Sequence, residues 1–288
     1  MKPAPFEYHA PETVADAVAV LAAHGDEAKP LAGGQSLVPM LALRLARFEH
    51  LVDLNRVEEL TGLRRRDGTL VVGAMTRQAT LERAEAAADV PLLTLAAPLI
   101  GHFQIRNRGT VGGSLAHADP ASELPAVALA LDAELEVATT AATRVVPAAE
   151  FFVGNWTTAL EPDELLVAAR FPVWPGRCGF AVEEVARRHG DFALTGAATG
   201  VALDRDGRVE RAAVALFGMA STPLRAPEAE ASLLGRAAAE LDLAELGQLA
   251  VRDLDPPDDV HASARYRRMV GAHVVARALA RALEAAAS

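Results

Sequence analysis

Residues 31–37 read "LAGGQSL" and residues 110–115 read "TVGGSL". Each stretch passes from apolar residues through two adjacent glycines to a serine and a leucine. Because neighbouring glycines weaken a helix or strand, some local advantage should offset that cost. A glycine pair can turn backbone N–H groups towards an anion and admit a phosphate where a Cβ would block it. One such stretch is most often a tight turn, but two predict a paired grip on one diphosphate.

Common nucleotide-binding and hydrolase signatures are absent from the sequence. Neither glycine motif is a G-x-G-x-x-G followed by an acidic residue about 20 positions on, so a Rossmann site is not predicted. No G-x-x-x-x-G-K-[ST], G-x-S-x-G or H-E-x-x-H occurs either. Cys178 has no obvious partner that would activate a thiol. These absences favour a dinucleotide bound in a non-Rossmann way and disfavour a hydrolase.

The composition is that of an ordinary globular protein, with 288 residues, 51% hydrophobic and 23% charged. The length predicts two domains. A net charge of −10 argues against a nucleic-acid-binding protein. The single cysteine, Cys178, excludes an internal disulfide and a cysteine-ligated iron–sulfur or zinc site built by this chain alone. Redox chemistry would need an organic cofactor or a partner, and we expect no metal site in this chain.

Two features of the sequence bear on its location. No apolar run approaches the roughly 18–20 residues of a membrane span. The first residues also lack the basic-then-apolar pattern of a signal peptide. We therefore expect a cytoplasmic protein with no membrane span.

Hydrophobic periodicity and turn residues predict an α+β organisation. The predicted helices cover 12–23, 36–46, 76–88, 91–103, 122–131 and most of the chain after 218. The predicted strands are 29–34, 50–55 and 69–75, with a turn at 64–68, and a hairpin over 195–218 that turns at Asp206-Gly207. The stretch 171–179 contains two prolines and two glycines, which makes it the best candidate for a domain boundary.

Polar residues beside the glycine motifs are candidate ligand-binding groups. Lys29 precedes the first motif, where it either supports the phosphates or is a solvated charge at a strand edge. The loop after the second motif contains His117, Asp119, Ser122 and Glu123. A carboxylate there can accept both hydroxyls of a ribose. Alternatively, Ser122 and Glu123 cap the helix that follows, and Asp119 begins a turn.

The stretch 186–194, "ARRHGDFAL", allows two interpretations. Phe192 could pack against a flat cofactor ring. Alternatively, the stretch is a strand with Phe192 in the core and a polar turn at His189-Gly190. The residues alone favour the second interpretation.

Three of these stretches together resemble a known family. Residues 28–60, 104–137 and 186–194 are similar to the medium, FAD-binding subunits of molybdenum hydroxylases, which include those of aerobic carbon monoxide dehydrogenase and xanthine dehydrogenase. The resemblance implies an α+β fold: a p-cresol-methylhydroxylase-type FAD-binding domain over 1–175, with subdomains of about 1–57 and 58–175. A smaller domain of antiparallel sheet plus helices would then occupy 176–288.

The resemblance also implies which residues contact FAD. Around the diphosphate these are Lys29, Leu31, Ala32, Gly33, Gly34, Gln35, Ser36 and Leu37 on one side and Thr110, Gly112, Gly113 and Ser114 on the other. His117 and Asp119 would lie along the same groove, and Glu123 would hold the adenosine ribose. Leu166 or its neighbour Val167 would contact the adenine, and Asp191 and Phe192 would approach the isoalloxazine ring. Glu183 stands where xanthine-type members carry a lysine near the flavin, which disfavours their NAD chemistry.

The family's members work in complexes. A large subunit holds the molybdenum cofactor, and a small subunit holds two iron–sulfur clusters. The resemblance implies that both assemble with the medium subunit as a dimer of heterotrimers. The FAD subunit passes electrons to an external acceptor and needs no catalytic side chain of its own. Two other functions stay open at this point: a stand-alone FAD oxidoreductase of the same fold, and a non-catalytic nucleotide-binding protein.

Overall fold

A computed structural model describes residues 2–288 and confirms the α+β fold class. The helices are α1 (Val14–His24), α2 (Leu37–Ala42), α3 (Gln78–Leu81), α4 (Pro91–Ala96), α5 (Phe103–Arg106), α6 (Val111–His117), α7 (Glu123–Ala130), α8 (Ala148–Phe151), α9 (Pro227–Leu233), α10 (Leu243–Val251) and α11 (Ala264–Ala287). The strands are β1 (Glu7–His9), β2 (Ala28–Leu31), β3 (His50–Asp53), β4 (Leu63–Arg66), β5 (Thr69–Gly73), β6 (Glu134–Ala138), β7 (Thr143–Pro147), β8 (Phe152–Gly154), β9 (Thr157–Thr158), β10 (Leu165–Pro172), β11 (Arg177–Val185), β12 (Thr195–Leu203), β13 (Val209–Phe217) and β14 (Leu224–Arg225). Among the helices of residues 2–288, none has the length and apolar character needed to cross a membrane.

The N-terminal part is a small parallel sheet in the order β1-β3-β2, covered by α1. Helix α1 begins because the Thr13 hydroxyl accepts a hydrogen bond from the Asp16 N–H, and it ends at Gly25, whose φ is 50°. Its buried face, which includes Val18 and Leu21, shares a core with Val52 of β3. Strand β2 leads directly into the first glycine motif, so this packing positions the motif.

The central part is an antiparallel sheet in the order β4-β5-β10-β6-β7. Helix α7 packs into the core beside it and is buried along its whole length, including the carboxyl-bearing Glu123. Helix α6, which contains the second glycine motif, contributes Val111 and Leu115 to the same core. The second motif is therefore anchored in the largest apolar cluster of the chain.

The C-terminal part is a four-stranded antiparallel sheet in the order β11-β12-β13-β14. The chain leaves the central sheet at Pro172 and enters this one at Arg177. Every residue of β12 is buried, because its sheet has α11 on one face and α4 and α7 on the other. The hairpin of β12 and β13 turns at Asp206-Gly207, as predicted, with Gly207 at φ 76°.

Three predicted elements differ from the structure. The stretch 76–88 forms only the single turn of α3 and a 3-10 helix at Glu85–Asp89. The stretch 91–103 is helical in pieces, because Pro98 removes a backbone donor and Gly101 takes a φ of 51°. The predicted turn at 64–68 is mostly strand, since β4 continues to Arg66 and only Asp67-Gly68 turns.

Candidate functional site: a cleft between the two glycine motifs

A cleft of about 700 Å³ brings together residues from all three parts of the chain. This volume lies within the roughly 300–1,000 Å³ typical of ligand sites. The residues predicted for the site that line it are Lys29, Ala32, Gly33, Gly34, Gln35, Ser36, Leu37, Thr110, Gly112, Gly113, Ser114, His117, Glu123, Leu166, Asp191 and Phe192. Leu31 and Asp119 are not among the lining residues, although Leu31 lies beside Gly34 and Asp119 bonds to Trp156, which both line the cleft, so their contact with the cofactor stays a prediction.

The first glycine motif presents free backbone donors on the cleft wall. Gly34 takes a φ of 74°, a conformation that favours glycine, and the chain then turns into α2. Within residues 2–288, the N–H groups of Gly34, Gln35 and Ser36 have no hydrogen-bond acceptor. The Gln35 amide donates to the Gly33 carbonyl at 2.8 Å and closes the turn. This motif is therefore arranged to receive hydrogen-bond acceptors from a ligand.

Asn55 and Arg77 support the first motif from behind, and the sequence analysis missed both. The Asn55 amide donates to the Ala32 carbonyl at 3.0 Å, and Arg77 donates to the Asn55 side-chain oxygen at 2.6 Å. Arg77 also donates to the carbonyl of Arg108 at 2.5 Å, immediately before the second motif. The signal that could have found Asn55 is its position two residues after the end of β3, which pairs with the end of β2.

The second glycine motif forms the first turn of helix α6. Thr110 caps α6 by accepting a hydrogen bond from the Gly113 N–H at 3.0 Å. The N–H groups of Val111 and Gly112 donate to the carbonyls of Thr76 and Ala74 at 2.9 and 2.8 Å. The backbone donors of this motif are therefore used within the protein.

The glycines of both motifs allow close contact between protein segments. A Cβ on Gly33 would collide with the carbonyl of Arg108, and one on Gly112 would collide with Ala74. A Cβ on Gly113 would lie 2.6 Å from the Thr110 hydroxyl and 3.3 Å from the Ala32 methyl group. The two motifs are thus packed against each other through Ala32 and Gly113.

The loop after α6 turns at Asp119. Helix α6 ends at Ala118 with a φ of 51°, and the Asp119 carboxylate accepts hydrogen bonds from the Ala121 N–H at 2.9 Å and from the indole of Trp156 at 3.1 Å. Asp119 is therefore a turn residue that orients Trp156. Trp156 lines the cleft itself and was not among the predicted residues. Ser122 precedes α7, but its side chain makes no capping hydrogen bond.

Burial shifts the pKa values of several groups at the cleft. It raises the pKa of Glu123 to about 8, and repulsion from Glu184 adds to the effect. Burial alone raises the pKa of Glu184 to about 7. The pKa of Lys29 and that of His117 are both lowered, first by desolvation. At neutral pH Glu123 is therefore protonated and can donate a hydrogen bond as well as accept one.

The segment 190–192 closes one end of the cleft. Gly190, with a φ of 87°, approaches the ring of His102 so closely that a Cβ would lie 2.5 Å from it. Phe192 is 57% exposed and lines the cleft. The interpretation of this stretch as a strand with Phe192 in the core was wrong, because the chain between β11 and β12 is a loop here.

Glu183 lies on the opposite face of β11 from the cleft. Its buried carboxylate pairs with Arg277 at 2.7 Å and with Arg281, both on α11. Glu183 therefore attaches α11 to its sheet and is not among the residues that line the cleft.

Comparison with known proteins identifies the family of the chain. Residues 4–174 match the family described as the FAD binding domain in molybdopterin dehydrogenase, and residues 180–282 match the CO dehydrogenase flavoprotein C-terminal domain. The medium chain of carbon monoxide dehydrogenase from Hydrogenophaga pseudoflava is 40% identical over 281 residues, which cover 97% of each chain. The chain belongs to the FAD-binding subunits of molybdenum hydroxylases. The cofactor of this family of oxidoreductase subunits is FAD.

Two further similarities extend over nearly the whole flavoprotein. The alpha subunit of the 6-hydroxypseudooxynicotine dehydrogenase complex from Paenarthrobacter nicotinovorans is 45% identical over 287 residues, covering 99% of this chain and 97% of the relative. A solved structure of carbon monoxide dehydrogenase from Hydrogenophaga pseudoflava, lacking the Mo-pyranopterin moiety, superposes with a TM-score of 0.95 at 40% identity and covers 99% of both chains.

The chemistry of the cleft fits FAD. Free N–H groups at Gly34, Gln35 and Ser36 suit phosphate oxygens, which are hydrogen-bond acceptors only. The side-chain oxygen of Gln78 is buried on the wall without a donor in residues 2–288, so a ligand group could satisfy it. The exposed ring of Phe192 offers a flat apolar surface to a ring system.

Proposed function

We propose that this flavoprotein is the FAD-carrying electron-transfer subunit of a heteromeric molybdenum hydroxylase. It would accept electrons from iron–sulfur clusters of a small partner subunit and pass them to an external acceptor. A large partner subunit would hold the molybdenum cofactor, with the three chains assembled as a dimer of heterotrimers. The observation that carries the proposal is the row of free backbone donors at Gly34, Gln35 and Ser36, packed through Ala32 against a second glycine motif.

In this proposal the first motif binds the diphosphate and the second supports it. The N–H groups of Gly34 to Ser36, with the Ser36 hydroxyl, would donate to the phosphate oxygens. The start of α6 would form the opposite wall through van der Waals contact, because the backbone N–H groups of α6 there already donate to protein acceptors. Lys29 would add positive charge at the entrance, beside Phe48, whose ring centre lies 5.7 Å from its ammonium group.

The remaining wall residues would fix the two ends of the cofactor. Glu123 would contact the adenosine ribose as a protonated carboxyl, donating to one oxygen and accepting from a hydroxyl. Leu166, which is buried on the wall, would contact the adenine. Asp191 and Phe192 would lie beside the isoalloxazine ring, which supplies the electron-accepting chemistry when bound. The protein's own contribution is binding, orientation and exclusion of water.

The division of labour between subunits agrees with the residues available. The sequence has one cysteine, Cys178, so this chain cannot ligate an iron–sulfur cluster with cysteines alone. The relatives named above are chains or subunits of dehydrogenases, and one of them is named as a subunit of a complex. Division of the chain at 175/176 into an FAD-binding domain and a C-terminal domain is part of the same proposal.

The decisive experiment is to purify the full chain with the proteins that accompany it and to measure bound flavin. We expect one non-covalent FAD per chain, released by acid precipitation, together with a large molybdenum protein and a small iron–sulfur protein. Absence of flavin absorbance from the purified complex would contradict the proposal and favour a non-catalytic nucleotide-binding protein. Rapid reduction of the flavin by an organic substrate without any partner chain would favour a stand-alone oxidoreductase instead.

A further inference from the structure

Three histidines that are far apart in the sequence meet at one end of the N-terminal sheet. His9 ends β1, His24 ends α1, and His50 begins β3. The Nε2 atom of His9 lies 3.0 Å from Nδ1 of His50, and the ring of His24 stacks on that of His50 with centroids 3.6 Å apart. One ring nitrogen of each histidine lies within 4.8 Å of the other two.

The fold itself brings these side chains to one place. In the parallel pairing of β1 with β3, Glu7 lies opposite His50, and side chains two residues apart share a face. Glu7, His9 and His50 therefore lie on the same face of the sheet, the face that α1 covers through its contact with Val52. His24 is the last residue of α1, and the helix stops there because Gly25 leaves the helical conformation.

Carboxylates surround the histidines. The Glu7 carboxylate lies 3.8 Å from Nε2 of His9 and 3.7 Å from Nδ1 of His50. Glu27 and Glu49 each place a carboxylate oxygen within 4.8 Å of a ring nitrogen of His50. Three half-buried imidazoles with the Glu7 carboxylate beside two of them form a set of nitrogen and oxygen donors of the kind that a zinc-class ion accepts.

The spacing of two of the nitrogens matches a metal centre. At a metal–nitrogen distance of 2.0–2.1 Å, two ligands lie about 3.3 Å apart in a tetrahedral site and about 2.9 Å apart as neighbours in a square-planar one. The 3.0 Å between His9 and His50 falls between these values. A ring nitrogen of His24 lies within 4.8 Å of the other two, so its ring, now stacked on that of His50, would have to move to complete the site.

We propose that His9, His24 and His50 bind one divalent transition-metal ion of the zinc class, with Glu7 as the fourth ligand. Imidazole and carboxylate are ligands that Zn²⁺ accepts in tetrahedral sites. The ion would join β1, α1 and β3, and β3 pairs with β2, which leads into the first glycine motif. This proposal differs from the expectation, based on the sequence, of no metal site, because spacings of 15 and 26 residues between the histidines give no ligand motif.

The test is a zinc titration of the full-length chain, made without an affinity tag and stripped with a chelator, in competition with a chromophoric chelator. We expect one Zn²⁺ per chain and a Tm that rises with Zn²⁺ concentration. His24→Asn and His50→Gln should each weaken binding at least about a hundredfold, since losing even an outer-shell partner costs roughly 10–100-fold. His261→Gln, which changes an exposed histidine outside the cluster, should leave it unchanged.

Two results would overturn the proposal: a wild-type chain that binds no stoichiometric Zn²⁺, and undiminished binding in both folded cluster variants. Far-UV circular dichroism checks the fold of each variant. Should the histidine variants fail to fold, X-ray absorption of the zinc-loaded wild type decides the matter. Three nitrogens and one oxygen in the first shell support the site, and a shell of oxygens alone excludes it.

Discussion

The two glycine motifs have nearly the same sequence and use their backbones in opposite ways. In residues 31–37 the N–H groups of Gly34, Gln35 and Ser36 have no acceptor within residues 2–288. In residues 110–115 the corresponding N–H groups donate to carbonyls of the protein or to the Thr110 hydroxyl. The first motif can therefore receive an anion through its backbone, whereas the second is a packed and satisfied helix start.

This difference shows that glycine can be required in such a motif for two different physical reasons. Gly34 is a glycine because its φ of 74° disfavours any other residue. Gly112 is a glycine because Ala74 lies where its Cβ would be. The sequence predicts that both motifs bind one diphosphate. In the structure only the first motif has free backbone donors, and the second packs against it. Variants of the two motifs test that distinction.

The largest expected effect is on folding, through Gly112→Val. The added side chain must displace the backbone of Ala74 in the main core, which we expect to lower the free energy of unfolding by about 3 kcal/mol. Urea unfolding of the full chain measures this. Gly154→Val is the control, since Gly154 has no positive φ and the nearest atom to its missing Cβ is the Cβ of Thr157, at an ordinary contact distance of 3.9 Å. A Gly112→Val chain as stable as the Gly154→Val chain would show that the second motif is not a packing element.

The next effect is on flavin affinity, through Gly34→Val. The substitution strains a left-handed residue by about 1–3 kcal/mol and moves the free N–H groups, so we expect FAD affinity to fall about a hundredfold while the chain still folds. Gly207→Val is a matched control, because its φ of 76° gives the same strain far from the cleft. Flavin absorbance after gel filtration is the readout. Equal flavin content in the two variants would remove the first motif from the binding site.

A third effect is a pH dependence of stability that arises from the buried carboxyl of Glu123, which follows the second motif. The pKa of Glu123 is raised from 4.5 to about 8, so the folded chain binds a proton that the unfolded chain releases between these values. Stability from this group is present below about pH 4.5 and is lost as the pH rises towards 8. The glutamine of Glu123→Gln does not titrate, so its stability does not fall in this way. The free energy of unfolding of Glu123→Gln relative to that of wild type should therefore rise by about 2 kcal/mol from pH 5 to pH 7.

Unfolding by urea at the two pH values measures the Glu123 effect, with the exposed Glu58→Gln as the control. Parallel pH profiles for wild type and Glu123→Gln would mean that the Glu123 carboxyl is ionised in the folded chain. In that case Glu123 could only accept hydrogen bonds from a ribose.

Local features of the sequence were sufficient for the fold class and for most of the cleft wall. The glycine pairs, the loop at His117 and the segment at Phe192 carry signals within a few residues. What the local patterns do not contain depends on distant partners. Trp156, 37 residues on, donates a hydrogen bond to the Asp119 carboxylate. The loop at Gly190 packs on His102, and Phe192 two residues later is exposed and not in the core.

Dependence on distant partners also explains why the sequence did not reveal several residues. Asn55 and Arg77 act on the glycine motifs through hydrogen bonds that span 23 and 31 residues. His9, His24 and His50 come together only through the parallel register of β1 and β3 and the end of α1. No spacing rule within one segment contains this information.

The smallest expected effect tests whether only the first motif needs outside support. Asn55→Ala removes the hydrogen bond to the Ala32 carbonyl, worth about 1 kcal/mol, so FAD affinity should fall about fivefold with little change in stability. Asn107→Ala is the control, because the exposed Asn107 side chain makes no hydrogen bond within residues 2–288. Because Asn55 touches only the first motif, a loss of affinity places the binding energy there. Unchanged affinity would mean that α2 alone holds the donors in place, and the two motifs would then differ only in their hydrogen bonding.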